Sequence, residues 1–175
     1  MKKFFMIAAA SILVLAACNS KKESGNEKKE GMETSTGNKQ ERNKKVVMAS
    51  MESFNKNDFD GVLKEAAPSF MDYADGSVPP MSNIDSLKGF FKMIKDAVPD
   101  YKGENIMYLA DGDHVAVIAD WTGTFKNDLM GMKATGKTFK FKDVDIFTLN
   151  DDGKITEHRS IANFGAVLMA TAENK

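Results

Sequence analysis

The chain has 175 residues, 42% of them hydrophobic and 28% charged, with 24 Lys/Arg against 25 Asp/Glu. That balance excludes a strongly basic nucleic-acid binder, and the single cysteine, Cys18, excludes an internal disulfide and a structural cysteine-zinc cluster. With only His114 and His158 as imidazoles and no glycine-rich phosphate loop, neither a metal site nor a cofactor is expected.

The N-terminus reads MKKFFMIAAASILVLAACNS: two lysines, an apolar run from Phe4 to Ala17, then the cysteine. This is the layout of a secretory signal, too short to span a bilayer comfortably. Leu15-Ala16-Ala17-Cys18 resembles a bacterial lipobox, which implies cleavage before Cys18 and acylation of its thiol. The expectation is a signal peptide over 1–17 and a lipoprotein of the bacterial cell envelope, held on a membrane by lipid and facing the periplasm or the exterior. From Asn19 to Lys45 the only large apolar residue is Met32, and eight Lys/Arg stand against five Asp/Glu. Such a composition buries too little surface to offset chain entropy, so 18–45 is expected to be a disordered tether. One domain is expected over 46–175.

Within that domain Val47, Met51 and Phe54 recur at helical spacing, and Phe59, Val62, Leu63 and Ala66 form a second short apolar face capped by Asn57 or Asp58 and closed by Pro68. A short strand in SFMDYADG and a proline-bound loop follow. Leu87, Phe90, Phe91, Ile94 and Val98 then predict the longest helix, capped by Ser82 or Asn83. Beyond Pro99 the period changes to two: ENIMYLADGDHVAVIADWTGTF predicts two strands turning at Asp111-Gly112-Asp113, and KTFKFKDVDIFTL and KITEHRSIAN predict two more turning at 150–153. Helices followed by an antiparallel meander predict an α+β domain in which a curved sheet wraps the helices.

Five segments carry a resemblance. Ala97-Val98-Pro99-Asp100-Tyr101, Gly112-Asp113-His114-Val115-Ala116-Val117, Trp121-Thr122-Gly123-Thr124, Ala134-Thr135-Gly136-Lys137 and Asp152-Gly153-Lys154-Ile155-Thr156-Glu157 occur in this order. Together they resemble the SnoaL-like polyketide cyclase (ester cyclase) branch of the nuclear transport factor two (NTF2)-like superfamily. The resemblance implies a cone-shaped α+β barrel, a pocket at one end, and an outer sheet face used for dimerisation. It also implies a catalytic aspartate on the last strand, six residues after the motif's glutamate. Here that position is Asn163, whose amide can orient a carbonyl but cannot exchange a proton near neutral pH. A second position, histidine in related sequences, is Phe125.

Strict alternation on the last strand would place Glu157, Arg159 and Asn163 on one face and His158 and Ser160 on the other. Because the resemblance puts Asn163 in the pocket, Arg159 is expected there too, as an anchor for a carboxylate or phosphate. The alternative is that it neutralises Asp120, Asp143 or Asp145 across the sheet. His158 is then expected on the outer face. Tyr73, Trp121 and Phe125 are the expected apolar lining. Three functions remain open: a binder of a small apolar molecule with a polar group, oriented by Arg159 and Asn163; a cyclase or isomerase whose acid/base has moved to Asp120, Asp143 or Asp145; and a dimerisation or protein-interaction module without ligand.

Overall fold

The computed structural model describes residues 27–173, with side chains from 37 to 171. The expected signal segment, Cys18 and the first part of the expected tether lie outside the described residues. The elements run α1 (Glu27–Asn55), α2 (Phe59–Leu63), β1 (Ala66–Asp72), α3 (Ile84–Ala97), β2 (Lys102–Asp111), β3 (His114–Thr124), β4 (Thr138–Leu149), β5 (Ile155–Ser160) and α4 (Phe164–Glu173). The five strands form one sheet in the order β1-β5-β4-β3-β2. It is α+β as expected, with the sheet curved around the helices but left open between its edge strands β1 and β2.

Strands β2 to β5 pair antiparallel in sequence order, as two-residue alternation dictates. In β3 the inward residues Val115, Val117, Ala119 and Trp121 are at most 5% exposed. They pack on Val47, Met51, Leu87, Ile94 and Val98 from α1 and α3, each large side chain contributing about 1.5–3 kcal/mol by leaving water. Gly123 ends this run because a Cβ there would lie 2.4 Å from Val98 Cγ1. Asn83 caps α3 by accepting the Ser86 N–H at 2.8 Å, and Asp58 caps α2 by accepting that of Gly61 at 2.9 Å.

Three expectations change. Pro68 does not close α2 but sits within β1. It is tolerated there because β1 is an edge strand, paired only with β5, where a missing N–H costs no ladder bond. The stretch assigned to a disordered tether is helical from Glu27 onward, so α1 and not α3 is the longest helix. Its anchor is polar: Asn43 is fully buried and donates to the Gly112 carbonyl at 3.2 Å. Arg42 donates to the Asp151 carbonyl at 2.6 Å, and Lys39 meets Asp113 at 2.5 Å and Asp151 at 2.6 Å. A search for apolar burial cannot see an anchor made of hydrogen bonds to two turns. Finally, β5 stops at Ser160, short of the Asn163 that KITEHRSIAN implied, and the chain bends into α4, a helix beyond that segment that the sequence reading did not include. Leu168 of α4 is fully buried. Among the described residues no helix is long and apolar enough to cross a membrane.

Candidate functional site

The concave face of the sheet and the helices α1 and α3 enclose a cavity of about 340 Å³, within the range of about 300–1,000 Å³ for small-molecule sites. Its walls are aromatic. Trp121 stacks on Tyr101 with ring centroids 5.0 Å apart, and Phe54 meets Trp121 edge-on at 5.6 Å. The mouth lies beside Val78 and Met130, which are 55% and 73% exposed.

The charged centre of the lining comes from three neighbouring strands. Asp72 closes β1, Asp145 lies on β4, and His158 lies between them on β5. The imidazole bridges the two carboxylates, with Nδ1 3.1 Å from Asp72 Oδ1 and Nε2 3.2 Å from Asp145 Oδ1. Its ring packs against Phe147 at 4.8 Å. Burial alone would push the imidazole towards its neutral form. The two carboxylates outweigh it and raise the His158 pKa to about 10. Burial likewise opposes the charge of Asp72, yet its hydrogen bond and attraction to His158 hold that carboxyl below its ordinary value. Asp145 goes the other way. Burial raises its pKa, with the Asp143 charge adding, despite the pull of His158. The imidazolium is thus neutralised by Asp72, and Asp145 is the carboxylate whose charge the surroundings resist.

Asp145 Oδ2 and Trp121 Nε1 are both shut off from solvent, and the indole N–H is directed at the Asp145 carboxylate, where it eases the burial of that charge.

Of the three expected catalytic carboxylates, Asp145 borders the cavity and is held there by His158. Asp143 also borders the cavity, but Oδ1 accepts backbone N–H groups from Val144, Ile161 and Ala162 at 2.6, 3.1 and 2.8 Å, and Oδ2 accepts the Ser160 hydroxyl at 2.7 Å. It pins the bend between β5 and α4. Asp120 lies on the opposite face of the sheet, held by Lys142 at 2.7 Å, Asn105 at 2.9 Å and Lys140 at 3.4 Å. These contacts keep its pKa well below the ordinary carboxylate value.

The faces of β5 are the reverse of the expected ones. His158 and Ser160 point in, whereas Arg159 is exposed, stacks over the Tyr73 ring at 3.8 Å and reaches Glu157 at 3.4 Å. The bend pinned by Asp143 breaks the alternation, so counting back by twos from Asn163 lands on the wrong face. Arg159 is therefore not a pocket anchor, and Tyr73 is its outer partner instead of lining. Phe125 is 1% exposed within the core and does not border the cavity. Trp121 lines it as expected. Asn163 borders the mouth, where it caps α4: its Oδ1 accepts the Ala166 N–H at 2.7 Å and its carbonyl that of Val167. Missed altogether were Asp72, which looks like any loop-proximal aspartate, and His158 as an inward residue. The one available signal for His158 was its single-residue offset from the charged pair around it.

A model of the SnoaL-like polyketide cyclase family matches residues 44–170. Among solved structures, a candidate polyketide cyclase from Xanthomonas campestris pv. campestris is 21% identical over 74% of this chain and 98% of its own, with a TM-score of 0.66. A candidate SnoaL-like polyketide cyclase from Jannaschia sp. CCS1 is 22% identical over 78% of this chain and 96% of its own, with a TM-score of 0.67. An NTF2-like protein of unknown function from Burkholderia pseudomallei K96243 is 16% identical over 73% and 95%, with a TM-score of 0.61. At these identities the likeness concerns the fold. No curated protein matches the chain.

Proposed function

The chain belongs to the SnoaL-like polyketide cyclase family, and from that premise we propose that its domain binds a small, largely apolar molecule in the aromatic cavity. The observation that carries this reading is the cavity of about 340 Å³ walled by Phe54, Tyr101 and Trp121, with Asp72, Asp145 and His158 as its charged lining. In the same proposal Cys18 carries the lipid that holds the protein outside the cytoplasm on the bacterial cell-envelope membrane. Two copies would pair through the outer sheet face, where Met107 and Leu109 are each 53% exposed and Met107 sits opposite Ile118 in the ladder.

Native mass spectrometry of the full chain, released from its membrane in mild detergent, tests the pocket reading. A retained small molecule is the expected result. Bare protein whose sole tryptophan, Trp121, also shows no change in emission with small naphthalene probes would overturn it.

A second reading rests on Asp145 itself. A carboxylate with a burial-raised pKa beside a protonated imidazole is suited to take and return a proton at carbon next to a carbonyl. It would place the acid/base on β4 rather than at position 163. Deuterium exchange into a bound ketone, present in the wild type and lost in Asp145→Asn with binding retained, would distinguish enzyme from binder.

A further inference from the structure

Nearly every uncharged polar side chain in the cavity lining already has a partner. Ser50 donates to the Val62 carbonyl at 2.9 Å, Ser160 to Asp143 at 2.7 Å and Ser77 to Asp75 at 2.6 Å, while Asn163 caps α4. The Trp121 N–H is directed at Asp145. Among the described residues this leaves the hydroxyl of Tyr101. Tyr101 is only 8% exposed, and no described group hydrogen-bonds its hydroxyl, although a buried tyrosine O–H ordinarily finds a partner. Unlike Asp145 Oδ2 and Trp121 Nε1, this oxygen is not shut off, and it keeps surface towards the cavity that Tyr101 lines.

The ring that carries the hydroxyl is held from several sides. Trp121 stacks on it at 5.0 Å, Phe164 packs at 4.9 Å and Phe139 at 6.0 Å, and the Tyr101 N–H donates to the Val98 carbonyl at 3.0 Å. The donor is therefore in place before a ligand arrives, and little ordering entropy is lost in engaging it. Burial raises its pKa well above the ordinary tyrosine value, with the charges of Asp145 and Asp143 adding, so the hydroxyl keeps its proton across the neutral range. An anionic acceptor would find no counter-charge: both ring nitrogens of His158 are engaged, and no lysine or arginine among the described residues borders the cavity. Resting on the binding reading above, we infer that the cavity takes an uncharged ligand with a carbonyl oxygen on an apolar ring body, and that the Tyr101 hydroxyl donates to that oxygen.

The test uses three probes of similar size: 1-tetralone, 1-methylidenetetralin, in which a methylene group replaces the oxygen, and 1-naphthoate. Each is titrated calorimetrically into the full chain in detergent and into its Tyr101→Phe variant, which keeps the ring and removes only the oxygen. The ketone is expected to bind the wild type about fivefold more tightly than Tyr101→Phe, the hydrocarbon to bind both equally, and the naphthoate to bind more weakly than the ketone. In the wild type the NMR resonance of an isotopically labelled tetralone carbonyl should move downfield of its position in an apolar solvent, as acceptance of a hydrogen bond requires, a readout that needs no variant and that Tyr101→Phe should abolish. Equal ketone affinity for the two chains, a carbonyl resonance at its apolar-solvent position, or tighter binding of the naphthoate overturns the inference while the cavity reading stands. A clear fall in the thermal midpoint of Tyr101→Phe would show that the fold itself uses the hydroxyl, and overturns it equally. Failure of all three probes to bind overturns both.

Discussion

The two faces of the sheet treat aspartates on neighbouring strands in opposite ways. On the outer face, Asp120 of β3 is surrounded by Lys140, Lys142 and Asn105, which drive its pKa down. On the inner face, Asp145 of β4 shares one imidazole with Asp72, and burial drives its pKa up. Both are aspartates in alternating strands, and both have a cationic neighbour. The difference is the neighbours: outside, Asp120 is covered only by Lys140 and Lys142, which are themselves 59% and 64% exposed, so its ion pairs add little; inside, each charge lies against the apolar core and must be matched or it becomes costly. Strongly perturbed ionisation of paired groups is therefore concentrated on the inner face.

The comparison is broken most directly at His158. His158→Gln leaves Asp72 and Asp145 in the cavity without the cation between them, and removing one partner of a buried pair costs about 3–5 kcal/mol. Urea unfolding should show this as a lower midpoint with an unchanged slope. A loss comparable to that of a surface substitution would mean that water reaches the cluster freely. Asp143→Ala comes next. It strips the acceptor from three backbone N–H groups and a hydroxyl, at a cost of about 2–3 kcal/mol, and should loosen α4 over the mouth. Asp143→Asn, which keeps an acceptor oxygen, should recover part of that loss.

The pH dependence sharpens the contrast. Because His158 titrates near 10 in the folded chain and near 6.5 when unfolded, its stabilisation is complete below about pH 6.5 and is lost as pH rises through about 10. The slope is at most about 1.4 kcal/mol per pH unit. Lys95 acts in the opposite sense. Buried over the Phe54 ring and donating to the Tyr101 carbonyl, it has its pKa pushed down to about 8, so its penalty is relieved as pH rises from there. The window from about pH 6.5 to 8 isolates the imidazole. Thermal midpoints should fall across it in the wild type and stay level in His158→Gln, whereas a level wild-type profile would contradict the protonated imidazole. The smallest effect belongs outside: Asp120→Asn should leave the urea midpoint unmoved, and a clear destabilisation would show that the outer face is not the solvated surface it looks.

Much of the fold could be read from residue order alone. The period-two runs from Glu104 to Asn163, the Asp111-Gly112 and Asp152-Gly153 turns, the cap at Asn83 and the amphipathic run from Leu87 to Val98 act over a few neighbouring residues. Local steric and hydrogen-bond rules therefore settle the elements they build. The SnoaL-like segments likewise disclosed the family, and the inward position of Trp121 followed from its place in β3. What local rules could not reach was decided by partners far along the chain. Asn43 makes a helix of a stretch with tether-like composition because Gly112, 69 positions away, accepts its amide. Asp143 bends the chain at 160–162 and so reverses which of His158 and Arg159 enters the cavity. Asp72 becomes part of the site only because β1 lies parallel to β5, setting it opposite His158. Side-chain alternation is a property of an unbroken strand, and whether a strand is broken depends on hydrogen bonds that exist only once the sheet has closed around its core.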